Sequence, residues 1–203
     1  MIPIALAAVF FGCIAFISTQ LSRAVCAGVA PAPDGPSPGT PPYAILVAAA
    51  AIIGGSLVAL GAMPVQIGIA AIVVFALVAC WCSDTICGLV PDVFTLGPLA
   101  ALLLFAAAQR EWDLIVSAVI VFAPFAAAAF FSRGYGMGWG DTKLVAIAGA
   151  ALGAPVAVFA LAVACVVAVV VHRLVARSKS GPIAFAPYIA AATGIALPLG
   201  FIH

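Results

Sequence analysis

The chain has 203 residues, of which 67% are hydrophobic and only 6% charged. A soluble domain carries about 25% charged residues to keep its surface in water, so a water-soluble globule is excluded, and so is a disordered chain, which must be polar. The net charge of +1 argues against nucleic acid as a partner, which needs a basic patch, and leaves an all-α polytopic membrane protein whose main partner is the lipid bilayer.

Residues 1–22 carry no charge. A secretory signal opens with Lys or Arg, so residues 3–20 are read as a first membrane helix that stays in the protein. Residues 23–42 form a short loop. It begins with Arg23 and is rich in Pro and Gly (AGVAPAPDGPSPGTPP at 27–42). Tyr43 to Ser83 is uncharged and about twice as long as a bilayer requires. Pro64 breaks it, because proline ends or kinks a helix, giving helices at 43–62 and 65–84 with Asp84 at the end of the second. Gly88 and Pro91-Asp92 mark a turn, and an apolar run from Val93 to Gln109 follows. Arg110, Glu111 and Asp113 make a polar turn before the next run, Leu114 to Ser132, which contains Pro124.

Arg133 to Asp141 reads RGYGMGWGD, and four glycines in nine residues disfavour a helix interior. Beyond it the apolar run Leu144 to His172 is interrupted at Gly153-Ala154-Pro155. Its first part is too short to span, and its second, 156–172, is long enough. Arg173, Arg177 and Lys179 lie in a loop, and Ile183 to Ile202 makes the last helix. The expectation is a single integral membrane domain over residues 1–203, a helix bundle of about eight apolar segments, one of them short. No internal repeat is visible.

Positive charge orients the bundle. If the chain starts outside and crosses at each segment, Arg23, Arg133, Lys143, Arg173, Arg177 and Lys179 fall on the cytoplasmic side and only Arg110 outside. Both termini then face away from the cytoplasm. Asp84 and Asp141 share the cytoplasmic face, because the two segments between them run out and back.

Carboxylates in a membrane are costly and therefore candidates for function. Two carboxylates on one face can share a proton, so that the ionised one activates a water while the protonated one donates to a substrate carbonyl. Gly138 and Gly140 would let a substrate backbone or a neighbouring helix approach Asp141. Other roles stay open: a helix N-cap for Asp141, and an interfacial position reaching water for Asp84. Asp92, before a helix, is read as an N-cap. Lys143 is read as an anchor at the phosphate level or an electrostatic influence on the site. Trp81, Tyr135 and Trp139 are read as interfacial anchors. The six cysteines contain no C-x-x-C pair, so neither zinc nor a thioredoxin-type motif is expected, and they are read as small packing residues.

Three stretches resemble the type IV prepilin peptidases, intramembrane aspartic proteases of the GxGD type. Asp84 to Asp92 (DTICGLVPD) is similar to the family's first aspartate motif, in which Pro follows the Asp by seven residues, here Pro91. Gly138 to Leu144 (GWGDTKL) resembles its G-x-G-D-x-K-L motif, and Pro182 to Tyr188 (PIAFAPY) its closing P-I-P-F-G-P-F stretch. The resemblance covers roughly residues 43–200.

The resemblance implies an endopeptidase that cuts the basic leader from prepilins or pseudopilins at the cytoplasmic face of the inner membrane, in type IV pilus assembly or protein secretion, with Asp84 and Asp141 as the catalytic pair. Gly138, Gly140, Lys143 and Pro91 are the supporting motif residues. Bifunctional members carry a zinc-binding insert with two C-x-x-C pairs, linked to N-methylation. The loop at 23–42 has only Cys26, so neither metal nor cofactor is expected. A transporter or proton pathway is the alternative, since such proteins also bury carboxylates. They place them near the midplane, whereas here both Asp lie near one face. A catalytically dead assembly partner is a third reading, and would tolerate the loss of either Asp.

Overall fold

The computed structural model describes residues 1–29, 39–132, 138–175 and 184–200. Among these the chain is all helical: α1 (Ile2–Ala27), α2 (Tyr43–Ala59), α3 (Pro64–Cys87), α4 (Asp92–Gln109), α5 (Trp112–Phe131), α6 (Trp139–Leu152), α7 (Ala154–Val175) and α8 (Ala186–Gly200). The all-α bundle with one short segment after the glycine-rich turn is what the sequence implies. Residues 30–38 of the loop at 23–42, with Arg133, Tyr135, Arg177, Lys179, Pro182, Ile183 and His203, lie outside the described residues.

Five helices, α1, α3, α4, α5 and α7, are long and apolar enough to cross a bilayer. The protein is a membrane protein, and much of its outer surface is apolar: Phe10, Phe16, Phe130, Phe131 and Phe159 are all exposed, as suits side chains that meet lipid.

Local chemistry sets the helix limits. Pro64 stands at the first turn of α3, where its missing N–H costs nothing, and Gln66 Oε1 accepts from the Met63 backbone N–H at 2.8 Å. Gly88 ends α3 in the left-handed region at φ 66°, a conformation glycine adopts without strain. Pro98, Pro124 and Pro198 lie inside helices, as membrane bundles tolerate when neighbours satisfy the freed carbonyls.

Several boundaries shift by a few residues from the sequence expectation, with α2 stopping at Ala59 rather than 62 and α3 running on to Cys87 rather than 84, and two others differ more. Residues 23–27 belong to α1, not to the loop, because one arginine does not end a helix and Arg23 lies over the Tyr43 ring at 5.4 Å from its centroid. The GWGD stretch is helical from Trp139, with Gly138 as N-cap. Glycine is poor in a helix interior but costs little in a first turn.

Helices α1 and α3 run parallel. Ser22 Oγ donates to the Ala79 carbonyl at 3.0 Å, and Cys26 Sγ lies 4.0 Å from the Ser83 carbonyl, both pairs 57 residues apart. A constant offset between contacting residues requires parallel axes. The ends of α1 and α3 therefore sit at the same end of the bundle.

Small residues let helices close together, which is how helices associate where lipid removes the hydrophobic drive. A Cβ on Gly54 of α2 would stand 2.5 Å from the Phe11 ring of α1, and one on Gly149 of α6 would stand 3.0 Å from the α5 backbone at Ala118. Helix α6 is the most enclosed element: every residue from Leu144 to Leu152 is buried, against α3, α4, α5, α7 and α8. Its 14 residues reach about 21 Å at 1.5 Å per residue, less than the ~30 Å hydrocarbon core. The shortfall is covered by protein rather than lipid, so no bilayer thinning is needed.

Candidate active site

Asp84 sits one turn before the end of α3 and is 7% exposed. Its backbone carbonyl accepts from the Gly88 N–H at 3.0 Å, so the left-handed turn that stops the helix begins at the aspartate itself. The side chain is buried rather than reaching out to water. The Ala186 backbone N–H, at the start of α8, faces the Asp84 carboxylate. That N–H is one of the first-turn donors a helix leaves unpaired, and it meets the carboxylate at the positive end of the helix.

Asp141 lies in the first turn of α6. It is not the N-cap, which is Gly138, but the Gly138 backbone N–H faces its carboxylate. The two carboxylates are close enough that the charge of one acts on the other. Among the described residues each also has one buried oxygen with no hydrogen-bond partner, Oδ2 of Asp84 and Oδ1 of Asp141. Buried polar atoms are normally paired, and exceptions call for an absent water or a chemical role.

Packing fixes the approach of α6 to α3. A Cβ on Gly140 would stand 2.5 Å from Val90 Cβ and 3.2 Å from the Val90 carbonyl. Gly140 thus lets the α6 N-terminus press against the α3–α4 turn, the close approach expected of the GxGD glycine, made here to a turn rather than to a helix. Among the described residues Gly138 has no such neighbour: a Cβ there would meet Asp141 Oδ2, at 3.5 Å. Pro91 is the N-cap of α4.

Asp92 is not the N-cap of α4, because Pro91 occupies that position and Asp92 is the first helical residue. Its carboxylate instead pairs with Lys143 Nζ at 2.5 Å. Lys143 is therefore tied to a protein carboxylate, a pairing the sequence reading did not contain. Two residues past Asp141, it holds the start of α6 to the start of α4.

The structure brings together Asp84, Asp141, Gly140, Pro91 with its neighbour Val90, and Lys143 with Asp92, all at one end of the bundle. Ala186 is the part that site reasoning from individual residues missed. Its contribution is a backbone N–H, which no side-chain pattern announces, although Pro187 beside it signals a helix start and the resemblance had marked the PIAFAPY stretch. Trp81 packs partly against the core and Trp139 is exposed. Among the described residues no cluster of His, Cys, Asp and Glu suited to a metal ion is found.

The sequence model of the type IV leader peptidase family matches residues 70–172, about half of the chain. That span takes in Asp84, Val90, Pro91, Asp92, Gly138, Gly140, Asp141 and Lys143. Neither a curated protein nor a solved structure matches the chain.

Proposed function

The chain belongs to the type IV leader peptidase family, and from that premise we propose that it is an aspartic endopeptidase that removes the leader from prepilin-type or pseudopilin-type membrane substrates, with Asp84 and Asp141 as its acid–base pair. One observation carries this reading. Asp84 is buried and Asp141 half-buried, the charge of Asp84 reaches Asp141, and each carries a buried oxygen without a partner among the described residues, which suits a shared proton and a held water.

In the proposed reaction the pair holds one proton in the resting state. The ionised carboxylate takes a proton from a water as that water attacks the scissile carbonyl carbon. The protonated carboxyl gives its proton to the carbonyl oxygen. The tetrahedral diol then collapses: a diol hydroxyl gives its proton to the ionised carboxylate as the C=O bond re-forms, the C–N bond breaks, the amine leaves with the proton of the other carboxyl, and the pair returns to its single-proton state. The N–H groups of Ala186 and Gly138 face the two carboxylates and favour their ionised forms during these transfers, and burial keeps bulk water from screening them.

The site lies at the end of the bundle that carries Arg23 and Lys143. We assign that end to the cytoplasmic side of the inner membrane by the positive-inside rule, with both termini on the other side. A substrate helix would then stay in the bilayer while its basic leader extends to the site. The reading departs from the family's closing stretch at Ala184 and Ala186, where that pattern has Pro and Gly.

The test is cleavage of a prepilin-type substrate by the purified protein in liposomes, followed by sequencing of the new N-terminus. Release of the basic leader supports the proposal. An intact substrate, in liposomes where an established leader peptidase cuts it, would refute it.

A further inference from the structure

Cys26, in the last turn of α1, and Cys87, the last residue of α3, have their sulfurs 2.9 Å apart although 61 residues separate them in sequence. Both are buried, at 6% and 3% exposure. Cys87 Sγ also donates to the Ser83 carbonyl at 3.1 Å, and the same carbonyl lies 4.0 Å from Cys26 Sγ. The pair therefore continues the parallel seam that starts at Ser22 and Ala79. The leader-peptide chemistry uses neither thiol.

We propose that Cys26 and Cys87 are a reversible disulfide site that clamps the end of α1 to the end of α3, one helical turn beyond Asp84. Bringing sulfurs 2.9 Å apart to the bond length of about 2.05 Å requires a closure of only about 0.9 Å. The two helix ends already hold the side chains face to face, so the bond forms without a change of fold.

The oxidant is a peroxide. One cysteine sulfur attacks a peroxide oxygen, the O–O bond breaks, and water leaves with the thiol proton, giving a sulfenic acid. The second sulfur then attacks the first. The S–S bond forms, the S–O bond breaks, and the hydroxyl leaves as a second water with the remaining thiol proton. Two thiols lose two electrons and two protons, and the peroxide is reduced to two waters. A dithiol reductant reverses the step by thiol–disulfide exchange. In a cytoplasm kept reducing, the open form is the resting one.

Cys82 sets the competing outcome, because it is buried and near enough to Cys26 for charge on one to act on the other. The test treats the full-length protein in detergent with hydrogen peroxide, or with diamide as a second thiol oxidant. The protein is then unfolded in denaturant, the remaining thiols are blocked, and the digest is analysed by mass spectrometry. The expected product joins the peptides of Cys26 and Cys87, is released by dithiothreitol, and leaves Cys13 and Cys165 open to blocking. The oxidised protein migrates faster on a non-reducing gel and unfolds several degrees higher, since the bond closes a long loop. Cys26→Ser and Cys87→Ser each abolish the link. A Cys26–Cys82 link, a sulfenic acid that never acquires a partner, or six thiols that all remain blockable would overturn the proposal. The wild-type peptide map alone decides between these outcomes, even if a serine variant does not fold.

Discussion

Lys143 and Asp92 form an ion pair that joins the second turn of α6 to the first turn of α4. The two helices flank the α3–α4 turn against which Gly140 packs. The pair thus spans the turn that follows Asp84. Asp92 is 62% exposed in its side chain, so water and salt screen the attraction, and such pairs contribute about 0–1 kcal/mol.

Asp92→Asn is therefore expected to keep the fold and to lower cleavage by no more than about fivefold, the kinetic equivalent of about 1 kcal/mol. Lys143→Met should behave alike, and the double variant should be no worse than either single one. Steady-state cleavage rates of the three variants check this. Loss of all activity in Asp92→Asn alone would place Asp92 in the chemistry.

Gly140→Ala puts a methyl group where Val90 Cβ already stands, 2.5 Å away. Neither backbone can yield without moving α6 from the α3–α4 turn, and overpacking of this kind costs about 1–3 kcal/mol. Cleavage should fall at least about fivefold, by the usual conversion of free energy to rate. Val90→Gly removes the obstructing Cβ and should restore part of the rate in the double variant. A fully active Gly140→Ala protein would show that the close approach is dispensable.

The all-helical bundle and most helix ends were legible in the sequence. Pro64 and Gly88 punctuate the chain by backbone chemistry that acts locally, and α3 follows them. What was not legible depends on residues distant in sequence. An apolar run marks where lipid can be met, not where a helix stops, so α1 was expected to end before Arg23, which Tyr43 accommodates. Asp92 resembled an N-cap, yet its partner is Lys143, 51 residues away. The cysteines were read as packing residues, which suits buried Cys80 and Cys82 but not the contact between Cys26 and Cys87. For the candidate site, the residues that come together were nameable from their motifs. The N–H of Ala186 on Asp84 was not, since a backbone donor leaves no side-chain signature.

The parallel α1 and α3 also bear on orientation. Residue 29 follows the end of α1 and is exposed, so it reports the side on which Asp84 lies. Cys26 is too buried for labelling. Val29→Cys in a background without the other cysteines should resist an impermeant thiol reagent in intact cells, and Arg110→Cys should react. The reverse pattern would move the site to the outer face.

Activity should depend on pH as a bell. Two carboxylates that share a proton titrate as a unit. Cleavage needs one proton on the pair, so the rate should fall in acid, where both are protonated, and again at higher pH, where both are ionised. Initial rates against a buffered pH series test this. A single sigmoidal step would indicate one working carboxylate.

The central claim is that Asp84 and Asp141 divide the work of acid and base, and substitution of each by Asn tests it most directly. Asn matches Asp in size and preserves packing, but its amide can neither take a proton from water nor donate one as a carboxylic acid does. Cleavage of a prepilin-type substrate in liposomes should fall by at least about a hundredfold, the low end of what general acid–base catalysis contributes, in both Asp84→Asn and Asp141→Asn, with membrane insertion and abundance unchanged. Near wild-type cleavage by either variant would contradict the account.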